Sequence, residues 1–98
     1  MLGSEPVSSG FIAIIGDTLL TLTGHSSYVW PVAWSPDGTK IATASGDRTA
    51  SVWSSSSGST LLTLTGHSSE VLSAAWSPDG TKIATGSSDD TARVYLVS

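Results

Sequence analysis

The sequence predicts an all-β chain made of two tandem copies of one four-stranded unit, and three observations carry that expectation. The first is self-similarity at a fixed offset. Residues 18–56 align with 60–98 without insertion or deletion, and 28 of the 39 positions are identical. Residues 18–27 recur unchanged as 60–69, and residues 33–43 as 75–85, both 42 positions on. Similarity this close points to recent duplication or deliberate design, because old repeats drift. The second observation is an apolar pattern of period two with frequent Thr and β-branched residues, the signature of strands rather than helices. The third is turn chemistry. Ser35-Pro36-Asp37-Gly38 and Ser77-Pro78-Asp79-Gly80 supply a proline with fixed φ and a glycine that accepts a positive one.

Taken in chain order, the first unit (residues 18–59) predicts strands at 18–23, 29–35, 40–46 and 49–54. The second (residues 60–98) predicts strands at 60–65, 71–77, 82–88 and 91–97. Ser54 to Ser57, followed by Gly58, reads as a flexible connector between strands. Residues 1–17 stand outside the repeat as an N-terminal extension. Within it Gly10-Phe11-Ile12-Ala13-Ile14-Ile15-Gly16 is apolar enough for an extra strand, yet it does not match the corresponding residues 52–58. It could be a worn remnant of a preceding inner strand, and Met1-Leu2-Gly3-Ser4 could equally be a remnant of an engineered expression sequence. Short strands, tight turns and no helical stretch define the all-β class.

Composition excludes several functions. Charged residues make up 12% of the chain, about half of the roughly 25% usual in soluble domains. The net charge is −4, and the four basic residues, Lys40, Arg48, Lys82 and Arg93, are scattered. Phosphate binding needs clustered Lys and Arg, so nucleic acid is not an expected partner. The chain has no cysteine, which removes disulfides, zinc thiolate sites and thiol nucleophiles and suits a reducing compartment. The run from Phe11 to Ile15 is too short for a signal sequence or a membrane span. The expectation is a cytoplasmic protein with no membrane partner.

A repeat of about 40–45 residues with four strands per unit resembles the WD40 β-propeller family. The residues that carry the resemblance are Gly24-His25, Ser35-Pro36-Asp37-Gly38, Asp47 and Trp53, then Gly66-His67, Ser77-Pro78-Asp79-Gly80 and Asp89. It covers residues 18–98. The aspartate of the eponymous Trp-Asp pair is Ser54 in the first unit, and Tyr95-Leu96 stands there in the second. The resemblance implies blades of four antiparallel strands, two per chain, out of step with the sequence repeat. Residues 29–65 then form a complete blade, 18–23 an orphan outer strand, and 71–97 three inner strands without their outer partner. Two blades cannot close a ring, since propellers typically hold four to eight. A head-to-tail contact in which strand 18–23 completes the neighbour's 71–97 would close a cyclic homo-oligomer. Four chains with eight blades are the first expectation, and three chains with six the second.

The resemblance also implies a hydrogen-bond network in each unit. In the first it would join His25, Asp47, Thr43 or Ser45, and Trp53. In the second it would join His67, Asp89, Thr85 or Ser87, and Tyr95, whose hydroxyl cannot donate from the indole N–H position. The same residue types invite a hydrolase reading, with a serine nucleophile, His25 as base and Asp47 as orienting carboxylate. The structural role is the stronger reading, so no enzyme is expected. Asp37, Asp79 and Asp90 sit in or beside turns without an acid/base environment for glycoside hydrolysis. Asp89-Asp90 lacks a calcium ligand loop, no nucleotide-binding motif occurs, and no cofactor or metal is expected.

Positions where the copies differ carry the remaining information. Tyr28, Trp30 and Pro31 become Glu70, Leu72 and Ser73. Tyr28 and Trp30 follow the Gly-His turn, and exposed aromatics are common anchors of binding sites. Tyr28, Trp30, Glu70 and Leu72 are therefore a candidate partner face, against the alternative that Trp30 fills a contact between blades. Trp34 and Trp76 recur at matched positions, which argues for packing between blades. The leading expectation is a non-enzymatic, self-assembling interaction scaffold. The alternatives are a small-ligand or sugar-binding propeller, and an engineered or fragment propeller whose sole property is self-assembly.

Overall fold

The computed structural model describes residues 16–98. Among these residues seven strands follow one another: β1 (Val29–Trp34), β2 (Lys40–Ser45), β3 (Ala50–Ser54), β4 (Thr60–Leu64), β5 (Val71–Trp76), β6 (Lys82–Ser87) and β7 (Ala92–Leu96). They form two antiparallel sheets, one of four strands in the order β1-β2-β3-β4 and one of three in the order β5-β6-β7.

The turns explain why each strand ends where it does. Between β1 and β2 the amide of Gly38 donates to the Ser35 carbonyl at 3.0 Å, and Gly38 takes the positive φ of 77° that closes the turn. The Asp37 carboxylate accepts from the Ser35 hydroxyl, the Thr39 hydroxyl and the Thr39 amide. Ser77, Asp79 and Thr81 repeat the arrangement between β5 and β6. The β2–β3 and β6–β7 turns place Arg48 (φ 76°) and Asp90 (φ 70°) in the left-handed region, where a side chain is strained.

Because side chains alternate across a strand, the register sorts each sheet into two faces. In the first sheet Ala42 pairs with Val52 and Ala44 with Ala50 on a face of small residues. Trp34, Ile41 and Trp53 line the opposite, tryptophan-bearing face. In the second sheet Trp76, Ile83 and Tyr95 are the equivalent of that second face. The core forms where the small-residue face of the first sheet meets the tryptophan face of the second. Ala42, Ala44, Ala50, Val52 and Leu64 pack there with Val71, Ile83 and Val97, and Trp76 and Tyr95 lie against the cluster. The Trp76 indole N–H crosses between the sheets and donates to the Ala33 carbonyl at 3.0 Å.

One expectation is corrected. Residues 18–23 were expected as a strand, but residues 16–25 form none. Their copy, 60–64, becomes β4 because it pairs with β3, whereas 18–23 meet no strand edge among the described residues. A strand needs a ladder partner as well as the right side chains. The second sheet has the three strands that the resemblance implied for residues 71–97, without an outer fourth among the described residues. The expected extra strand near residues 10–16 lies, but for Gly16, outside the described residues.

Candidate interaction surface and the histidine network

The Gly-His turn brings a side chain from outside each sheet onto its hairpin. Gly24 lies against the Trp53 ring and has φ 145°, a backbone conformation that side chains rarely adopt, and this is what calls for glycine at the turn. His25 then reaches into the sheet. Its Nδ1 lies 2.8 Å from Asp47 Oδ2 and its Nε2 lies 2.7 Å from Thr43 Oγ1. Trp53, fully buried, donates its indole N–H to the same Thr43 oxygen at 2.8 Å. One proton arrangement satisfies every member: indole N–H to Thr43, Thr43 hydroxyl to Nε2, and Nδ1–H to the carboxylate. Asp47 further accepts from the Ser26 amide at 3.1 Å, the Thr49 amide at 3.0 Å and the Thr49 hydroxyl.

The second unit repeats most of this. His67 Nδ1 is 2.9 Å from Asp89 Oδ2, and Nε2 is 2.7 Å from Thr85 Oγ1. Asp89 accepts from the Ser68 amide and from the amide and hydroxyl of Thr91. Of the alternatives left open by the sequence, Thr43 and Thr85 contact the histidines. Ser45 and Ser87 instead accept the amides of Asp47 and Asp89, each at 3.1 Å. Ser87 also donates to the Glu70 carbonyl at 2.7 Å.

Tyr95 does not join the second network. Its hydroxyl donates to the Thr65 carbonyl at 2.9 Å, because a phenol carries its donor at the far end of the ring. Thr49 and Thr91 were missed by sequence reasoning. The signal was present as an Asp-x-Thr spacing in both tight turns, the same spacing found at Asp37 and Asp79.

Electrostatics follow from these contacts. Burial raises the Asp47 pKa, but the Thr49 hydroxyl, the His25 ring and the amides of Ser26 and Thr49 outweigh it and hold the group at about 2. The Asp89 carboxyl is also held well below its ordinary value, first by the Thr91 hydroxyl, against burial and with help from His67. The Thr39 amide, then the hydroxyls of Thr39 and Ser35, hold Asp37 at about 2. A carboxylate whose folded pKa lies below its unfolded value of 3.8 adds stability that is complete above that value. It is lost as pH falls through the folded value. Acid unfolding followed by circular dichroism is therefore expected to show stability declining between about pH 4 and pH 2, with Asp47→Asn flattening that decline.

Every bond just described ends on a partner within the fold. Among the described residues no group of three or more His, Cys, Asp or Glu side chains could hold a metal ion. The candidate partner face is more open. Tyr28 is 66% exposed and Trp30 37%, and their rings meet at 5.8 Å with a 50° tilt. Leu72 is exposed at the equivalent of Trp30, while Glu70 is half-buried and uses its carbonyl on Ser87 and Ser88. The structure thus brings Tyr28 and Trp30 together and leaves Glu70 and Leu72 as their non-aromatic counterparts. No helix among the described residues is long and apolar enough to cross a membrane.

Comparison with known proteins agrees with this geometry. A solved structure described as the crystal structure of RRP9 WD40 repeats superposes with a TM-score of 0.72 at 31% identity, over 76% of this chain and 24% of that one. A probable cytosolic iron-sulfur protein assembly protein CIAO1 homolog from Chlamydomonas reinhardtii is 54% identical over 33 residues, 34% of this chain and 9% of that protein. Lissencephaly-1 homolog 1 from Paramecium tetraurelia is 42% identical over 41 residues, 42% of this chain and 10% of that protein. The chain thus matches about a tenth of the length of such relatives. The family model for the WD domain, G-beta repeat, matches twice, at residues 16–54 and 58–95, so the chain belongs to the WD40 family.

Proposed function

We propose that this chain is a non-enzymatic interaction scaffold that reaches its working form by closing into a ring with copies of itself. WD40 repeats generally serve as protein-interaction scaffolds. One observation carries the self-assembly. Among the described residues the edge of β7 has no strand beside it, and residues 18–23, which repeat the sequence of the strand that covers β3, form no strand pairing. An open edge and an unpaired strand of the right sequence are complementary needs, and joining them removes an aggregation hazard. Four chains would give eight blades and three would give six. The His–Asp–Thr networks serve as structure, tying the Gly-His turn to the hairpin. A cytoplasmic location fits the word cytosolic in the names of several relatives.

The exposed Tyr28–Trp30 pair supports the second part of the reading, a partner face that repeats around the ring. Repetition converts weak single contacts into avidity for a multivalent protein, and the net charge of −4 favours neutral or cationic partners. A small-ligand or sugar site built on the same aromatic pair is the competing reading. Two truncations test the scaffold. Removing residues 1–16 is expected to leave the size of the assembly unchanged in sedimentation experiments. Removing residues 1–23 is expected to abolish it. Equal behaviour of the two truncated chains would refute the strand-exchange reading.

A further inference from the structure

We propose that the two free sheet faces of this chain are the two halves of one self-interface, and that copies join by repeating the contact its own two sheets already make. The inference rests on the self-assembly reading. It adds which faces meet, in what register and through which hydrogen bond.

The internal contact is a worked example of the interface. The small-residue face of the first sheet receives the tryptophan face of the second, and the Trp76 indole donates to the Ala33 carbonyl. The remaining two faces carry the same side chains. On the second sheet Ala75, Ala84, Ala92 and Val94 stand where the first sheet has Ala33, Ala42, Ala50 and Val52. Ala42, Ala50 and Val52 are buried, whereas Ala84, Ala92 and Val94 are exposed, Val94 by 69%. On the first sheet Trp34 and Ile41 stand where the second has Trp76 and Ile83. Ile83 is fully buried and Ile41 half-buried, while Trp34 is 62% exposed. One chain therefore presents a socket at its C-terminal end and a matching plug at its N-terminal end. No charged side chain lies among these facing positions. A partner of other composition would have to imitate a surface that a second copy already carries.

Displacing the internal contacts by the 42-residue repeat gives the geometry. The Trp34 indole N–H of one copy donates to the Ala75 carbonyl of the partner subunit. The β3–β4 register pairs Ala50 with Leu64, Ser51 with Thr63 and Val52 with Leu62. Its copy pairs Ala92 with Leu22 of the partner subunit, Arg93 with Thr21 of the partner subunit and Val94 with Leu20 of the partner subunit. Plug and strand come from the same end of the same copy, so a single docking satisfies both. Each chain offers one plug and one socket, and such a heterologous contact closes only as a ring.

The absence of cysteine allows a direct test. Cross-strand neighbours lie within disulfide range. The variant carrying Leu20→Cys and Val94→Cys is expected to form disulfide-linked dimers and larger multiples on oxidation, resolved by non-reducing electrophoresis. The variant with Leu20→Cys and Arg93→Cys should remain single chains there, because Arg93 faces the other side of β7. Independently, Trp34→Ala should weaken association at least about tenfold, as truncating a central aromatic anchor does. The circular dichroism of the dissociated chain should be unchanged, since Trp34 is mostly exposed in it. Disulfides only in the control pair, or undiminished association of Trp34→Ala, would overturn this interface while leaving self-assembly standing. A parent chain that stays monomeric would overturn both.

Discussion

Replacing Asp47 by Ala should lower stability by about 1–3 kcal/mol, the usual cost of leaving partners of a charged acceptor unsatisfied, here mostly part-buried ones. Three donors besides His25 would lose their acceptor: the Ser26 amide, the Thr49 amide and the Thr49 hydroxyl. For a domain of this size each kcal/mol shifts the melting temperature by about 4–8 °C. His25→Ala should fall in the same range, because it strips Thr43 and Asp47 of a common partner. The two costs should not add. Residues sharing a network couple by about 0.5–3 kcal/mol, and a double-mutant cycle at fixed chain concentration measures that coupling. Single variants that melt with the parent would show that the network contributes nothing to stability.

The second large effect distinguishes the lone chain from the assembled one. Ile83→Ala should cost about 2–5 kcal/mol under all conditions, since it opens a cavity in the contact between the sheets. Ile83 is fully buried there. Ile41 is its repeat counterpart but only half-buried within one chain. Ile41→Ala should cost clearly less in dilute, dissociated chain and approach the Ile83→Ala cost at concentrations where copies associate. Denaturant titrations at two protein concentrations provide the comparison. If Ile41→Ala remained the cheaper substitution at every concentration, the face it occupies would not be covered by a second copy.

Much of this fold was legible because the repeat runs at a constant offset of 42 with no insertion. Each strand could be checked against its copy, and the expected boundaries differ from those found by a residue or two. The segment 18–23 was legible as an orphan from the offset that the resemblance implies between repeat and blade, but not as a segment that forms no strand in the lone chain. Its side chains are those of β4, and periodicity registers side-chain alternation, not whether a ladder partner exists. The network was only partly legible for a different reason. Thr43 and Ser45 lie two apart on one face of β2, so strand parity cannot choose between them. The reach of His25 from its turn decides, and that depends on how the turn at Gly24 folds over Trp53. Tyr95 shows the converse. Its position matches Trp53, but the donor geometry of a phenol sends its hydrogen bond to the Thr65 carbonyl. The exposed small-residue face was hidden because Ala92 and Val94 read as core in any single-chain pattern. Only the count of sheets reveals that nothing among the described residues covers them.

The mass of the intact chain under native conditions tests the central claim most directly. A chain of 10.0 kDa that closes into eight blades should give one native mass-spectrometry species at about 40 kDa, four chains together. Three chains and six blades would place it at about 30 kDa, by the same multiplication and within the four to eight blades that rings hold. A well-folded species that stays at 10.0 kDa up to the highest concentrations measured would contradict the account.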